Sequence, residues 1–281
     1  MKKRDRDAAT VEEALKGAMA AIQNRQPAAA ERATREILAR DPRHAGALHL
    51  FGLALLAQGR PQEAIAPLEQ AAAGKAADAT IETQLAIALR QSGRSAQALE
   101  WLERAVSRQP PFVLAFHELG VLLFSLRRLD QAEAVLKRGS ELFPATAELS
   151  VVLGGIYLDR ADRANAKVAF ARALVTAPGH PGALFGLGSA LMDDGEFAPA
   201  AERFRQALAR DPNYTQARLS LGRCLLELGQ TDEATACFRA AARQGPQSFG
   251  KVLKTLVTSG HGQFWLKPSA AAKALHPETK S

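Results

Sequence analysis

The sequence predicts an all-α solenoid of antiparallel helix pairs, on three observations. Prolines recur at a fixed interval: Pro110, Pro144, Pro178, Pro212 and Pro246 stand 34 residues apart, and Pro42 lies two such steps before Pro110. Small residues keep the same phase. Taking the proline as residue 32 of a repeat, the eighth place holds Ala18, Gly52, Ala86, Gly120, Gly154, Gly188 and Gly222, and the twentieth holds Ala30, Ala64, Ala98, Ala132, Ala166, Ala200 and Ala234. Bulky apolar residues mark the twenty-fourth place: Leu68, Leu102, Leu136, Phe170, Phe204 and Phe238. Columns in register over seven repeats exclude chance and define the architecture.

The elements follow in order. A charged tail is expected at 1–10, then seven repeats at 11–44, 45–78, 79–112, 113–146, 147–180, 181–214 and 215–248. Repeat 1 is the least regular, with Thr34 at the bulky place, and repeat 2 has Ala76 where the proline belongs. Within each repeat two helices approach closely only where side chains are small, which accounts for the glycine and alanine columns. The bulky column is expected to fill the space between neighbouring pairs. Proline sits at helix starts or after helix ends, so it marks the junctions. Gly59-Arg60-Pro61, Gly93-Arg94-Ser95, Gly195-Glu196 and Gly229-Gln230 read as turns in which glycine ends the first helix. One pair cannot bury its own apolar face, so the last needs a cover. Residues 249–258, apolar on one side and lysine-bearing on the other, are expected to form a capping helix, followed by a tail at 259–281.

The 34-residue period, the pairs Leu119-Gly120, Leu153-Gly154, Leu187-Gly188 and Leu221-Gly222, the phased alanines and prolines, and Tyr157 on a first helix resemble the tetratricopeptide repeat family. The resemblance covers residues 11–248. It implies a right-handed superhelix with a concave groove, lined by the first helices, that grips peptides or partner domains.

Charge and composition narrow the function. The net charge is +7, but residues 1–10 carry +2 and residues 249–281 carry +4, which leaves +1 for everything between. A nucleic-acid-binding array would show basic residues repeat after repeat along one face, so no nucleic-acid partner is expected. Two cysteines, Cys224 and Cys237, fit a reducing compartment. The charged, amphipathic start lacks an export core, and no stretch has the roughly 20 apolar residues of a membrane span, so a cytoplasmic location without membrane insertion is expected.

Motifs that could carry chemistry have plainer readings. Gly245-Pro246-Gln247-Ser248-Phe249-Gly250-Lys251 fits the opening of a phosphate-binding loop, but Val252 stands where Ser or Thr would hold magnesium, and a repeat helix precedes it instead of a strand. His117-Glu118 begins like a zincin helix, yet Val121 occupies the second histidine's place. His49 and His117 share a phase two repeats apart. Helices pack about 8–10 Å apart, so the two cannot share a zinc ion that needs both nitrogens at about 2.0–2.1 Å. Cys224 and Cys237 read as small buried thiols or as a redox pair. No catalytic residues, cofactor or metal are expected.

The groove is the functional surface this reading leaves. In the resemblance the fifth, ninth and twelfth residues of each repeat face inward, as helical spacing requires. The candidates are His49, Leu53, Leu56, Thr83, Ile87, Arg90, His117, Val121, Phe124, Val151, Leu158, Phe185, Met192, Leu219 and Arg223, with Leu15, Met19, Ile22 and Leu226 in the same rows. Any one of them is either groove-lining or inter-repeat core. The family's clamp for C-terminal carboxylates needs asparagines that these rows lack. In the tail, Phe264-Trp265-Leu266 either folds back on the capping helix or docks a partner. The expected function is a protein-protein scaffold or adaptor that holds a peptide or partner protein. The alternatives are a separately encoded targeting subunit of a sulfotransferase- or glycosyltransferase-like enzyme, and an envelope or secretion assembly factor.

Overall fold

The structure is a computed structural model and describes residues 2–74 and 78–243, with side chains from Thr10 onward. The proposed capping helix, the Phe264-Trp265-Leu266 cluster and the Gly245–Lys251 stretch lie outside the described residues. Fourteen helices and no strands make up the described chain, an all-α helical repeat solenoid. They pair as α1 (Lys2–Gln23) with α2 (Pro27–Arg40), α3 (Ala45–Ala57) with α4 (Pro61–Ala73), α5 (Ala79–Gln91) with α6 (Ser95–Ala105), and α7 (Val113–Ser125) with α8 (Leu129–Leu142). Then come α9 (Ala147–Asp159) with α10 (Arg163–Thr176), α11 (Pro181–Asp193) with α12 (Phe197–Arg210), and α13 (Thr215–Glu227) with α14 (Thr231–Ala242). From α3 onward the first helices start at 45, 79, 113, 147, 181 and 215, each one period after the last. None of the helices is long and apolar enough to cross a membrane, among the described residues. The chain divides into two compact units, Met1–Val135 and Leu136–Ser281.

Residues 2–10 are helical, continuous with the first repeat helix. Lys, Arg and Ala favour helix and nothing in that stretch breaks one, so charge alone does not make it a loose tail.

The helix starts have local causes. Pro27, Pro61 and Pro181 occupy first-turn positions, where no backbone donor is needed. The histidines before α3 and α11 cap them: His44 Nδ1 accepts from the Ala47 N–H and His180 Nδ1 from the Ala183 N–H, each at 3.2 Å. Asp78 does the same for α5, accepting from the Ile81 N–H at 2.9 Å.

The bulky column acts differently from the sequence expectation. It packs across its own pair, against the small residue at the eighth place. A Cβ added to Gly52 would sit 2.5 Å from Leu68, one on Gly154 2.6 Å from Phe170, one on Gly188 2.8 Å from Phe204, and one on Gly222 2.7 Å from Phe238. In the first pair the same two places hold Ala18 and Thr34, both buried, where a larger small residue stands with a smaller bulky one. Phe170 also reaches the next pair: a Cβ on Gly186 would lie 2.2 Å from its ring. Phe170 is thus clasped by glycines of α9 and α11.

The turns within pairs also depart from the expectation. Gly59, Gly93, Gly195 and Gly229 adopt φ between +71° and +79°, but Arg25, Arg127 and Ala161 hold the same place in the other three pairs with φ of 56°, 62° and 58°. The packing of the flanking helices imposes the turn, with or without glycine.

Polar bonds stitch successive pairs. Glu31 on α2 accepts from Gln58 Nε2 at 2.7 Å and from Arg60 Nη1 at 3.0 Å, both in the turn after α3. Lys167 on α10 bonds Asp194 at 2.6 Å and Glu196 at 3.3 Å in the turn after α11. Within the third pair Glu82, 0% exposed, receives Arg104 Nη2 at 3.1 Å and Arg108 Nη2 at 2.7 Å.

Candidate partner-binding face

Residues five, nine and twelve of a first helix fall on one face because their spacing is close to whole turns. In each compact unit that face lies on the narrower side. First helices of successive pairs touch, α1 with α3, α3 with α5 and α5 with α7 in the first unit, and α9 with α11 and α11 with α13 in the second. No such contact joins α2 to α4, α4 to α6, α10 to α12 or α12 to α14 among the described residues. Layers spaced more closely on one side make that side the inner one.

The structure sorts the candidates into three groups. His49, Leu53, Leu56, Ile87, Arg90, His117, Val121, Phe124, Val151, Leu158, Phe185 and Met192 are half-buried, as are Leu15, Ile22 and Leu226, while Met19 and Arg223 are exposed. Thr83 and Leu219 are buried, and Thr83 Oγ1 donates to the Ala79 carbonyl at 2.5 Å. Those two leave the accessible face.

Several half-buried members serve the core as well. Phe185 packs its ring 5.7 Å from Phe204 and 5.0 Å from Tyr214. Val151 and Leu158 lie against the cluster around Phe170, and Met192 and Leu226 against the cluster around Phe204 and Phe238. Phe185→Ala therefore removes packing of α11 on its neighbours.

All the polar members but Arg223 lie in the first unit. Arg90 Nη2 lies 2.9 Å from Glu118 Oε2, and His117 Nδ1 lies 3.4 Å from Glu118 Oε1. Burial works to raise the Glu118 carboxyl, but the adjacent His117 ring and the Arg90 guanidinium outweigh it and hold the group below the usual carboxylate range. Burial pushes the His49 imidazole down, with Asp78 opposing. His49 Nε2 and Arg90 Nε are buried without hydrogen-bond partners among the described residues, and the buried His117 Nδ1 has only its 3.4 Å approach to Glu118. Glu118 was absent from the sequence candidates. It occupies the sixth place, one residue off the inward row, and the only signal for it was an arginine 28 residues earlier.

Burial pushes the Cys224 thiol up to about 12 and raises Cys237 as well, so both stay protonated at neutral pH. Among the described residues no three His, Cys, Asp or Glu side chains stand together as metal ligands. An open cleft of 280 Å³, lined by Val106, Leu119, Leu123, Ala134 and Val135 with Glu103 and Gln131 beside them, lies on the second-helix side of the first unit.

Two models of the tetratricopeptide repeat match the chain, one over residues 15–80 and 151–202, the other over 55–117 and 191–254. Comparison with curated proteins finds no match. Among solved structures, a tetratricopeptide repeat protein from Parabacteroides merdae is similar over 88% of this chain and 98% of its own, at 17% identity and a TM-score of 0.67. The pilF protein of Pseudomonas aeruginosa is similar over 76% of this chain and 97% of its own, at 20% identity and a TM-score of 0.65. A thermophilic repeat protein of Thermus thermophilus covers 65% of this chain and 99% of its own, at 24% identity and a TM-score of 0.54. At such identities the likeness is one of fold. It agrees with the helix pairs, their constant period and the two interleaved family matches: the chain belongs to the tetratricopeptide repeat family.

Proposed function

We propose that the chain is a non-catalytic scaffold that holds a peptide or a partner protein along the inner faces of its first helices. One observation carries this reading. A row of side chains at helical spacing recurs pair after pair on the narrow side and stays half-exposed after the repeats have packed. A rigid array offers such a row without ordering cost, so contacts made along it convert into affinity. The mixture fits an occupant with large apolar side chains and some hydrogen-bonding groups: Leu53, Leu56, Ile87, Val121 and Phe124 supply apolar area, and Arg90 and His117 supply polar contacts. We place this scaffold in the cytoplasm, which two free cysteines suit.

The test is capture of partners on the full chain, followed by titration of the identified partner against Phe124→Ala and Ile87→Asp. Phe124→Ala should weaken binding by about 1–2 kcal/mol while helical content and urea midpoint hold. Deleting 259–281 in parallel separates binding by the array from binding by the tail. Undiminished affinity in both face variants would move the site off the first helices.

A further inference from the structure

Each second helix turns one face to solvent, and on six of the seven that face carries charge. The places concerned are the eighteenth, twenty-second, twenty-fifth and twenty-ninth of the repeat. On α10 alone they are all apolar: Ala164, Val168, Ala171 and Val175. Val168 and Val175 are 68% and 81% exposed, and both alanines are exposed. Leu142, 46% exposed at the end of α8, widens the patch. The end of α8 is held beside α10 by the bond from Arg172 Nη2 to the Ser140 carbonyl at 3.0 Å. The basic side chains of α10 nearest the stripe are engaged elsewhere, Arg172 in that bond and Lys167 with Asp194 and Glu196. Apolar surface of this kind on an outward face marks a contact surface.

We propose that a second copy of the chain docks here, α10 against α10, antiparallel about a two-fold axis. The order of the residues is the reason. Spacings of four, three and four place all four on one seam. Turned end for end about the midpoint between Ala169 and Phe170, the seam lays Val168 over the second copy's Ala171 and Val175 over its Ala164. A large side chain then meets a small one at every layer, the requirement of a self-complementary interface. A parallel copy would set valine on valine and alanine on alanine.

On the α12 side the charges agree with the same axis. On neighbouring α12, Glu202 and Arg205 are exposed and occupy the repeat places of Val168 and Ala171. The rotation that pairs Val168 with Ala171 brings each Glu202 towards the other copy's Arg205. A seam of four residues buries less than the roughly 1,200 Å² of a standard interface, so the dimer is weak and forms at high protein concentration. The surface lies on second helices, so it stands whether or not the first-helix face holds a partner.

Sedimentation equilibrium of the full chain, up to about 1 mM, should show monomer and dimer in exchange. Val168→Lys should raise the dissociation constant about tenfold or more with an unchanged melting temperature, since the side chain is outside the core. Glu202→Arg should weaken the dimer, and adding Arg205→Glu in the same chain should restore it. A monomer at every concentration, or a dimer indifferent to Val168→Lys and to the charge exchange, overturns the proposal.

Discussion

Ala161 occupies a place where the backbone turns left-handed, with φ of 58°, and where four other pairs use glycine. For an ordinary residue that region costs about 1–2 kcal/mol, partly offset by the greater freedom glycine loses on folding. Ala161→Gly should therefore raise stability by roughly 0.5–1 kcal/mol, read as a higher urea midpoint. Gly186→Ala should do the opposite. Its Cβ would arrive 2.2 Å from the Phe170 ring, and Phe170 cannot retreat because Gly154 backs it. A loss of about 1–3 kcal/mol is expected for such overpacking. The same change beside Phe170→Leu should cost less, and the double-mutant cycle measures the difference. Cys224, its thiol pushed up to about 12, should resist a thiol reagent in the folded chain and react on unfolding.

Helix-to-helix joints respond to charge in ways that depend on burial. In the third pair Glu82 is buried while Arg104 and Arg108 keep contact with water. Replacing both arginines strands a carboxylate in the interior, whereas Glu82→Leu frees two arginines that can rehydrate. The double arginine variant should therefore have the lower urea midpoint of the two. Between α5 and α7 the joint is Arg90 with Glu118. The carboxyl is held below its ordinary value in the fold, so its contribution is complete at neutral pH and fades as the pH falls through the lowered value. Glu118→Gln should flatten the acid limb of stability against pH, in unfolding midpoints taken below about pH 5. Neither joint was legible in the sequence. Glu82 meets arginines 22 and 26 residues away, and a linear pattern gives such distances no weight. The helix pairs, by contrast, announce themselves through short-range causes: the phased prolines fall at helix junctions, although Pro67 departs from that expectation inside α4, and an aromatic such as Phe204 needs a glycine such as Gly188 opposite it.

Across the molecule, periodic order and functional detail were readable to different degrees. Columns of Ala, Gly and Pro repeat because every pair solves the same packing problem, so the fold class could be read without coordinates. The inner row was legible as a set of places but not as a set of contacts. Thr83 and Phe185 hold the same fifth place, yet one is enclosed and the other is half-buried against two aromatic rings, a difference made by neighbours on other helices. The clasp on Phe170 bears on how such a chain can lengthen or shorten by gene duplication. Most pairs carry their own glycine and its bulky mate, so each is close to a cassette that recombination can copy whole. Excising residues 181–214 is different. The loss would slide Ser220 into the place of Gly186, setting a Cβ against the ring. The fifth and sixth cassettes are thus expected to be inherited together.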